Sequence, residues 1–199
     1  ALIDKDLSAQ FRVLDLTKDF DPEMAELPEM PFCIRVPDSL SALQKIAAHW
    51  RNELDIKVIG ITGSVGKSTT KEIIADVLRQ RYKTHKNLGN FNNEIGLPLS
   101  ILGLRKSHQR AILEMGFYVP GEIKFLCEIA QPTIGVITNI GTVHAERAGS
   151  QDEIAKGKSE LVEYLPEHGF AILNYDDPLV RPMAEKTKAK VIFYGLSPQ

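Results

Sequence analysis

The chain has 199 residues, with 24 Lys and Arg against 26 Asp and Glu, for a formal net charge of −2; 43% of residues are hydrophobic and 25% charged. These are ordinary globular proportions, and the length suffices for a buried core. Near-neutral charge argues against a dedicated nucleic-acid binder, and no run approaches the roughly 18 apolar residues of a membrane span.

Cys33 and Cys127 stand far apart in the chain with no cysteine close to either. Neither a zinc knuckle nor a disulfide framework is visible, which points to a reducing, cytoplasmic location. The opening Ala1-Leu2-Ile3-Asp4 lacks the basic start and apolar core of a secretory signal. It reads as a strand entered midway, so the chain is expected to be a fragment.

Short apolar runs at Ala1 to Ile3, Phe11 to Leu16 and Phe32 to Val36 predict strands, the last two separated by a loop with Pro22, Pro28 and Pro31. From Asp38 the period changes. Leu40, Leu43, Ile46, Ala47, Trp50 and Leu54 share one helical face, with Asp38 or Ser39 as cap.

Beyond Lys57 strands and helices alternate. Strands are expected at Val58–Thr62, Arg110–Met115, Thr133–Asn139, Gly169–Asn174 and Lys190–Tyr194. Helices are expected at Lys67–Arg81 (with Ile73, Ile74, Val77 and Leu78 inward), Gly121–Ala130, Asp152–Leu165 and Pro178–Lys188. Apolar strands separated by helices define an α/β fold, a mostly parallel sheet flanked by helices, with ligands expected at the carboxyl ends of the strands.

The sharpest local signal is Gly63-Ser64-Val65-Gly66-Lys67-Ser68-Thr69, between a strand and a helix. Glycines let backbone amides turn toward an anion, and a helix N-terminus adds a favourable dipole. Lys67 is placed to reach terminal phosphates and Ser68 to coordinate Mg²⁺. The standard spacing wants a further glycine where Ile61 stands.

On the helix after Asp152, Ile154, Leu161, Val162 and Leu165 form an apolar stripe, and Lys158 falls inside it. Either Lys158 snorkels, its stem covering apolar surface, or it turns toward the site. Glu114 ends an apolar strand, where a carboxylate can hold Mg²⁺ or be a plain strand-end charge. His144 follows another strand end and is either solvated or a metal ligand or acid/base group. Asn90, Asn92 and Asn93 crowd one segment, as a turn and helix cap or as contacts to a polar substrate. The run Arg79, Arg81, Lys83, His85 and Lys86 reads as a solvated helix end or as steering for an anionic substrate, and Asn174, Asp176 and Asp177 as capping residues before Pro178 or as groups of the site.

The ordered series G-S-V-G-K-S-T, G-N-F-N-N-E-I-G-L-P-L, L-E-M-G with P-G-E-I, T-N-I-G-T-V-H, and I-A-K-G-K-S-E-L, within about Phe32 to Tyr194, resembles the Mur ligases, ATP-dependent enzymes that build the peptide of bacterial cell-wall precursors. The N-F-N-N-E-I-G-L-P and P-G-E-I segments favour the branch that adds D-alanyl-D-alanine to UDP-N-acetylmuramoyl-tripeptide through an acyl phosphate.

The resemblance implies that Gly63, Ser64, Val65, Gly66, Lys67, Ser68 and Thr69 hold ATP. It assigns Ser68 and Glu114 to one Mg²⁺, and His144 with a carbamylated Lys158 to a second. Asn93, with Asn90 and Asn92, is placed beside phosphates and substrate, and Lys67, Asn93, Lys158 and His144 form the catalytic set. Residues 1–54 then correspond to the end of an N-terminal UDP-substrate domain with its linking helix, and 55–199 to an incomplete central ATP-binding domain. The family's C-terminal domain has no counterpart, so the fragment is expected to be inactive alone and the full-length protein monomeric.

Three departures stand out: Val65 where the family usually has Asn, Phe117-Tyr118-Val119 in place of a more polar stretch, and Ala145 where Leu is usual. A P-loop kinase or NTPase of other specificity would explain the phosphate loop but not Lys158, His144 or the asparagines. A Mur-like nucleotide-binding module without catalysis is the remaining alternative.

Overall fold

A computed structural model describes residues 1–18, 31–141 and 150–197. The chain divides into two compact units, Ala1–Ile46 and Ala47–Gln199.

In the first unit β1 (Leu2–Ile3), β2 (Val13–Asp15) and β3 (Cys33–Arg35) form a parallel sheet in the order β1-β3-β2. The Arg35 guanidinium pairs with Asp15 at 3.1 Å. Helix α1 (Ser39–Asn52) starts here, with the Leu40 amide donating to Asp38 Oδ1 at 2.9 Å, so Asp38 is the cap. The division between units falls inside α1, between Ile46 and Ala47, whereas the sequence reading set it after Leu54.

The second unit contains β4 (Lys57–Thr62), α2 (Lys67–Arg79), β5 (Thr84–Lys86), α3 (Gly96–Leu102), β6 (Arg110–Glu114), α4 (Glu122–Ala130), β7 (Ile134–Ile137), α5 (Gln151–Tyr164), β8 (Phe170–Asn174), a 3₁₀ helix (Arg181–Lys186) and β9 (Lys190–Tyr194). All strands pair in parallel, in the order β5-β6-β4-β7-β8-β9. The register places Ile59 of β4 beside Ile112 of β6 and Ile134 of β7.

Alternate residues of these strands enter different layers, as the pleat requires. Val58, Leu113, Ile137 and Leu173 pack with Ile123, Leu126, Ile154 and Leu161 of α4 and α5. Ile59, Ile61, Ile112 and Val136 pack with Ala75, Ile74 and Leu78 of α2 on the other face. Chain order reverses around β4, which puts a crevice at its carboxyl end.

Three expectations are corrected. Ile73 and Val77, expected inward, are exposed, because the inner stripe of α2 is Lys71, Ile74, Ala75 and Leu78. The expected helix at Pro178–Lys188 is a shorter 3₁₀ helix. Asp177 Oδ1 accepts the Leu179 and Val180 amides, and Pro182 lacks a donor for an α-helical bond. Thr84–Lys86, expected as part of a solvated helix end, is the strand β5, and α3 follows the asparagine turn where only a cap is expected; Thr84-His85-Lys86 has no apolar run and Pro98 sits early in α3.

Arg51, 7% exposed, closes the amino end of the second unit. Its guanidinium donates to the carbonyls of Ala130 (2.9 Å), Leu54 (3.0 Å), Ile56 (3.1 Å) and Gln131 (3.4 Å). Arg51→Ala strands these buried acceptors and should cost about 2–4 kcal/mol. Urea unfolding followed by the single Trp50, next in sequence, measures the loss. A change below about 0.5 kcal/mol would contradict this role.

Candidate nucleotide and metal site

At the carboxyl end of β4 the chain turns through Gly63-Ser64-Val65-Gly66 into α2. Gly63 has φ 144°, and a Cβ there would overlap Thr138 Oγ1, so only glycine lets the loop lie this close to the end of β7. The segment Thr138-Asn139-Ile140-Gly141 braces the loop from below. Asn139 accepts from the Val65 amide (2.9 Å) and donates to the Val65 carbonyl (3.1 Å), and Thr138 Oγ1 donates to the same carbonyl (2.7 Å). The Gly141 amide donates to Ser64 Oγ at 2.9 Å.

Asn174 and Asp177 stand one layer further out. Asn174 Nδ2 donates to the Thr138 carbonyl at 2.9 Å, and Asp177 Oδ2 accepts the Ile140 amide at 2.7 Å. Both therefore support the loop's brace; Asp177 also accepts the Leu179 and Val180 amides leading into the next helix, whereas Asn174 Oδ1 accepts the Asp176 amide. Val65 is 59% exposed, and its backbone makes the bonds to Asn139. Gly66 and Thr69 are exposed beside it.

Lys67 folds back over the loop, with Nζ 2.9 Å from the Gly63 carbonyl and 3.5 Å from that of Ser64. Burial pulls its pKa below the ordinary lysine value, and the Glu114 charge opposes that pull. Ser68, one residue on, donates from Oγ to Glu114 Oε2 at 2.7 Å.

Glu114 is 3% exposed and heavily engaged. Asn92 Nδ2 donates to Oε1 at 2.9 Å, and Lys71 Nζ lies 3.7 Å from Oε2. Asn87 fixes the backbone of Glu114 from both sides. Its Oδ1 accepts the Glu114 amide and its Nδ2 donates to the Glu114 carbonyl, both at 3.0 Å. Asn87 Nδ2 also donates to the Phe91 carbonyl at 2.8 Å, tying the asparagine turn to β6.

A hydroxyl and a carboxylate side by side are hard oxygen donors of the kind Mg²⁺ takes, with phosphate and water completing its shell. Among the described residues no group of three or more His, Cys, Asp and Glu side chains is arranged to hold a metal. That donor pair fits a Mg²⁺ that also takes phosphate and water oxygens.

The asparagines separate. Asn92 reaches Glu114, whereas Asn93 Oδ1 accepts the Gly96 amide at 2.8 Å, capping α3. Asn90 is exposed, and its carbonyl accepts the Asn92 amide at 2.7 Å. A small pocket beside this turn is lined by Asn93, Gly116, Tyr118, Phe125 and Leu126 among others.

Lys158 lies on the buried face of α5 with Ile154, Leu161 and Val162, and is itself 2% exposed. It does not snorkel. Its Nζ lies 3.3 Å from the Gly63 carbonyl, the acceptor that also receives Lys67, and 4.6 Å from the centroid of the Phe117 ring. A Cβ at Gly157 would overlap that ring, so glycine before Lys158 admits Phe117. Burial, reinforced by the Lys67 charge, pulls the Lys158 pKa down to about 7. His144 lies outside the described residues.

Sequence reasoning missed Lys71 and Asn87. Lys71 carried a legible signal, since it stands one helical turn after Lys67 and heads the apolar stripe of α2. Asn87 follows a three-residue strand that offered no pattern to read.

Residues 61–199 match the family model described as the Mur ligase middle domain. The chain is 49% identical over 162 residues to the UDP-N-acetylmuramoyl-tripeptide--D-alanyl-D-alanine ligase of Synechocystis sp., covering 81% of this chain and 36% of that protein. It is 44% identical over 162 residues to the protein of the same name from Bacillus subtilis, covering 81% and 35%. The crystal structure of MurF ligase from Thermotoga maritima in complex with ADP superposes with a TM-score of 0.77 at 30% identity, covering 98% of this chain and 50% of that one. The chain thus spans about a third of the length of these curated relatives. A strand-braced phosphate loop, a buried lysine beside it and this extended match lead to one conclusion: the chain belongs to the Mur ligase family.

Proposed function

We propose that the full-length protein is an ATP-dependent amide ligase of cell-wall precursor synthesis, joining D-alanyl-D-alanine to UDP-N-acetylmuramoyl-tripeptide. The observation that carries this reading is the convergence of Lys67 and Lys158 on the Gly63 carbonyl, with Ser68 and Asn92 on Glu114 close by. A simple phosphate loop accounts for Lys67 and Ser68 but gives no reason for a second buried lysine.

In the proposed reaction the terminal carboxylate of the tripeptide attacks the γ-phosphorus of ATP. The bond to the bridging oxygen breaks, and ADP leaves. The dipeptide amine then attacks the acyl phosphate, losing a proton to solvent as inorganic phosphate departs. Loop amides and Lys67 hold the phosphates and offset the charge gathering on the transferred group. Ser68 and Glu114 would hold Mg²⁺, which when bound polarises the phosphoryl oxygens. Asn92 orients Glu114, and Asn93 with Asn90 frames the substrate side of the turn.

The finer part of the proposal concerns Lys158. A pKa near 7 leaves much of the amine neutral at physiological pH, so it can add to CO₂, forming a carbamate and releasing a proton. The new negative charge would lie beside Lys67 in place of a like charge. His144 would join this carbamate at a second Mg²⁺. A reducing cytoplasm suits the two free cysteines. Among the described residues no helix is long and apolar enough to cross a membrane, and a monomeric enzyme completes the reading.

ADP release by the full-length protein is the test. With UDP-muramoyl-tripeptide and ATP, sustained release should require D-alanyl-D-alanine. Release at the same rate without the dipeptide would favour an NTPase or kinase, and no release with any muropeptide would favour a binding module.

A further inference from the structure

The reaction above leaves the buried charge of Lys71 unused. Lys71 lies one turn beyond Lys67 on α2 and is 2% exposed. Its Nζ is 3.2 Å from the Gly89 carbonyl, 3.7 Å from Glu114 Oε2 and 3.9 Å from Glu72 Oε1. Glu72 is half-exposed and also pairs with Lys86, so Glu114 is the buried counter-charge.

A buried ammonium is costly unless its hydrogens and charge are satisfied. Here they are divided between two parts of the site: the carboxylate assigned to Mg²⁺ and the backbone that opens the asparagine turn. Asn92 closes the circuit, since it belongs to that turn and donates to the other oxygen of Glu114 at 2.9 Å. Lys71 thus touches both the turn and Glu114, which Asn87 and Asn92 also link.

We propose that Lys71 is a positioning residue with two opposed effects, holding the asparagine turn in shape for the acceptor while tempering the affinity of Glu114 for the metal. The acceptor half rests on the ligase reading above; the metal half rests only on Ser68 and Glu114. A cation so close to a divalent-metal site repels the metal, and its removal strengthens metal binding even as the turn loosens. A residue that merely filled space would weaken both functions when replaced.

The test uses the full-length protein with Lys71→Met and Lys71→Arg. Mn²⁺, titrated in the presence of ADP and followed by its paramagnetic signal, reports the metal without catalysis. Lys71→Met should bind Mn²⁺ about threefold tighter or more, while the KM for UDP-muramoyl-tripeptide rises about tenfold and that for D-alanyl-D-alanine stays within about twofold. Lys71→Arg, which keeps the charge, should return Mn²⁺ affinity to within about twofold of the wild type.

Unchanged or weaker Mn²⁺ binding in Lys71→Met overturns the proposal, as does an unchanged acceptor KM. Should the methionine variant fail to fold, Lys71→Gln passes through the same two titrations, with the same expected signs and the same overturning results. Wild-type protein that turns over no ATP with acceptor and dipeptide defeats the ligase reading and with it the acceptor half, while the Mn²⁺ titration still decides the metal half. Normal turnover with metal and acceptor affinity shifting together defeats Lys71 alone.

Discussion

If the full-length protein is the ligase proposed above, Lys67→Ala should abolish its ATP turnover, lowering kcat/KM by about 10³-fold or more, the effect of removing a preorganised cation from a phosphoryl-transfer site. The fold should survive. In the structure the Lys67 ammonium bonds to carbonyls of its own loop, and the loop's brace comes from Thr138 and Asn139. Burial already disfavours the charged form of Lys67, so truncation relieves a desolvation cost as it removes these bonds. The melting temperature should therefore move by only a few degrees, about the effect of 1 kcal/mol or less. Lys67→Arg should not rescue turnover, because a planar guanidinium cannot replace a compact ammonium within this turn. Retained turnover in the alanine variant, or loss of turnover accompanied by unfolding, would remove Lys67 from its assigned role.

That experiment probes a residue the sequence located directly, and the reason is local. A strand, a glycine turn and a helix N-terminus are contiguous in the chain, so Lys67 and Ser68 announce themselves by spacing alone. Lys158 was legible through its conflict with the apolar period of α5, and its burial follows from that same period. The parallel α/β class was legible because β4, β6, β7 and β8 are short apolar runs separated by helices.

What stayed hidden depends on tertiary contact. Asn92 and Asn93 are sequence neighbours of the same chemical type, yet one orients Glu114 and the other caps α3. No single-chain pattern separates those two fates. Lys71 was missed for a different reason. As the one charged member of the stripe Lys71, Ile74, Ala75 and Leu78, it shifted the apparent inner face of α2 toward Ile73 and Val77, which are exposed. A lysine inside an apolar stripe was legible on both helices, but on α2 it was masked because the neighbouring face carries Ile73 and Val77.

The second large effect separates stability from function at Lys158. In the unfolded chain this amine titrates near the ordinary lysine value of 10.5; in the fold it titrates at about 7. Below pH 7 both states carry the proton, and the fold bears the whole cost of a buried ammonium. Between about 7 and 10.5 the unfolded chain holds more protons than the folded one, so stability rises with pH across that window and levels off above it. Lys158→Met should remove this pH dependence and make the protein more stable by about 1–4 kcal/mol at pH 6, with the gain shrinking toward pH 10. On the proposed mechanism the same substitution also removes the amine that would form the carbamate, so the full-length protein should lose the proposed ligase activity. Urea unfolding in CO₂-free buffer at pH 6, 8 and 10, read by Trp50, measures the first effect. Added bicarbonate should stabilise the wild type near pH 8 and leave the methionine variant unchanged, because only the wild type has an amine to modify. A methionine variant less stable at pH 6 would mean that the bonds of Lys158 to Gly63 and its contact with Phe117 outweigh desolvation. Bicarbonate that stabilised both proteins equally would remove the carbamate from the mechanism, leaving Lys158 as a buried cation beside the phosphates.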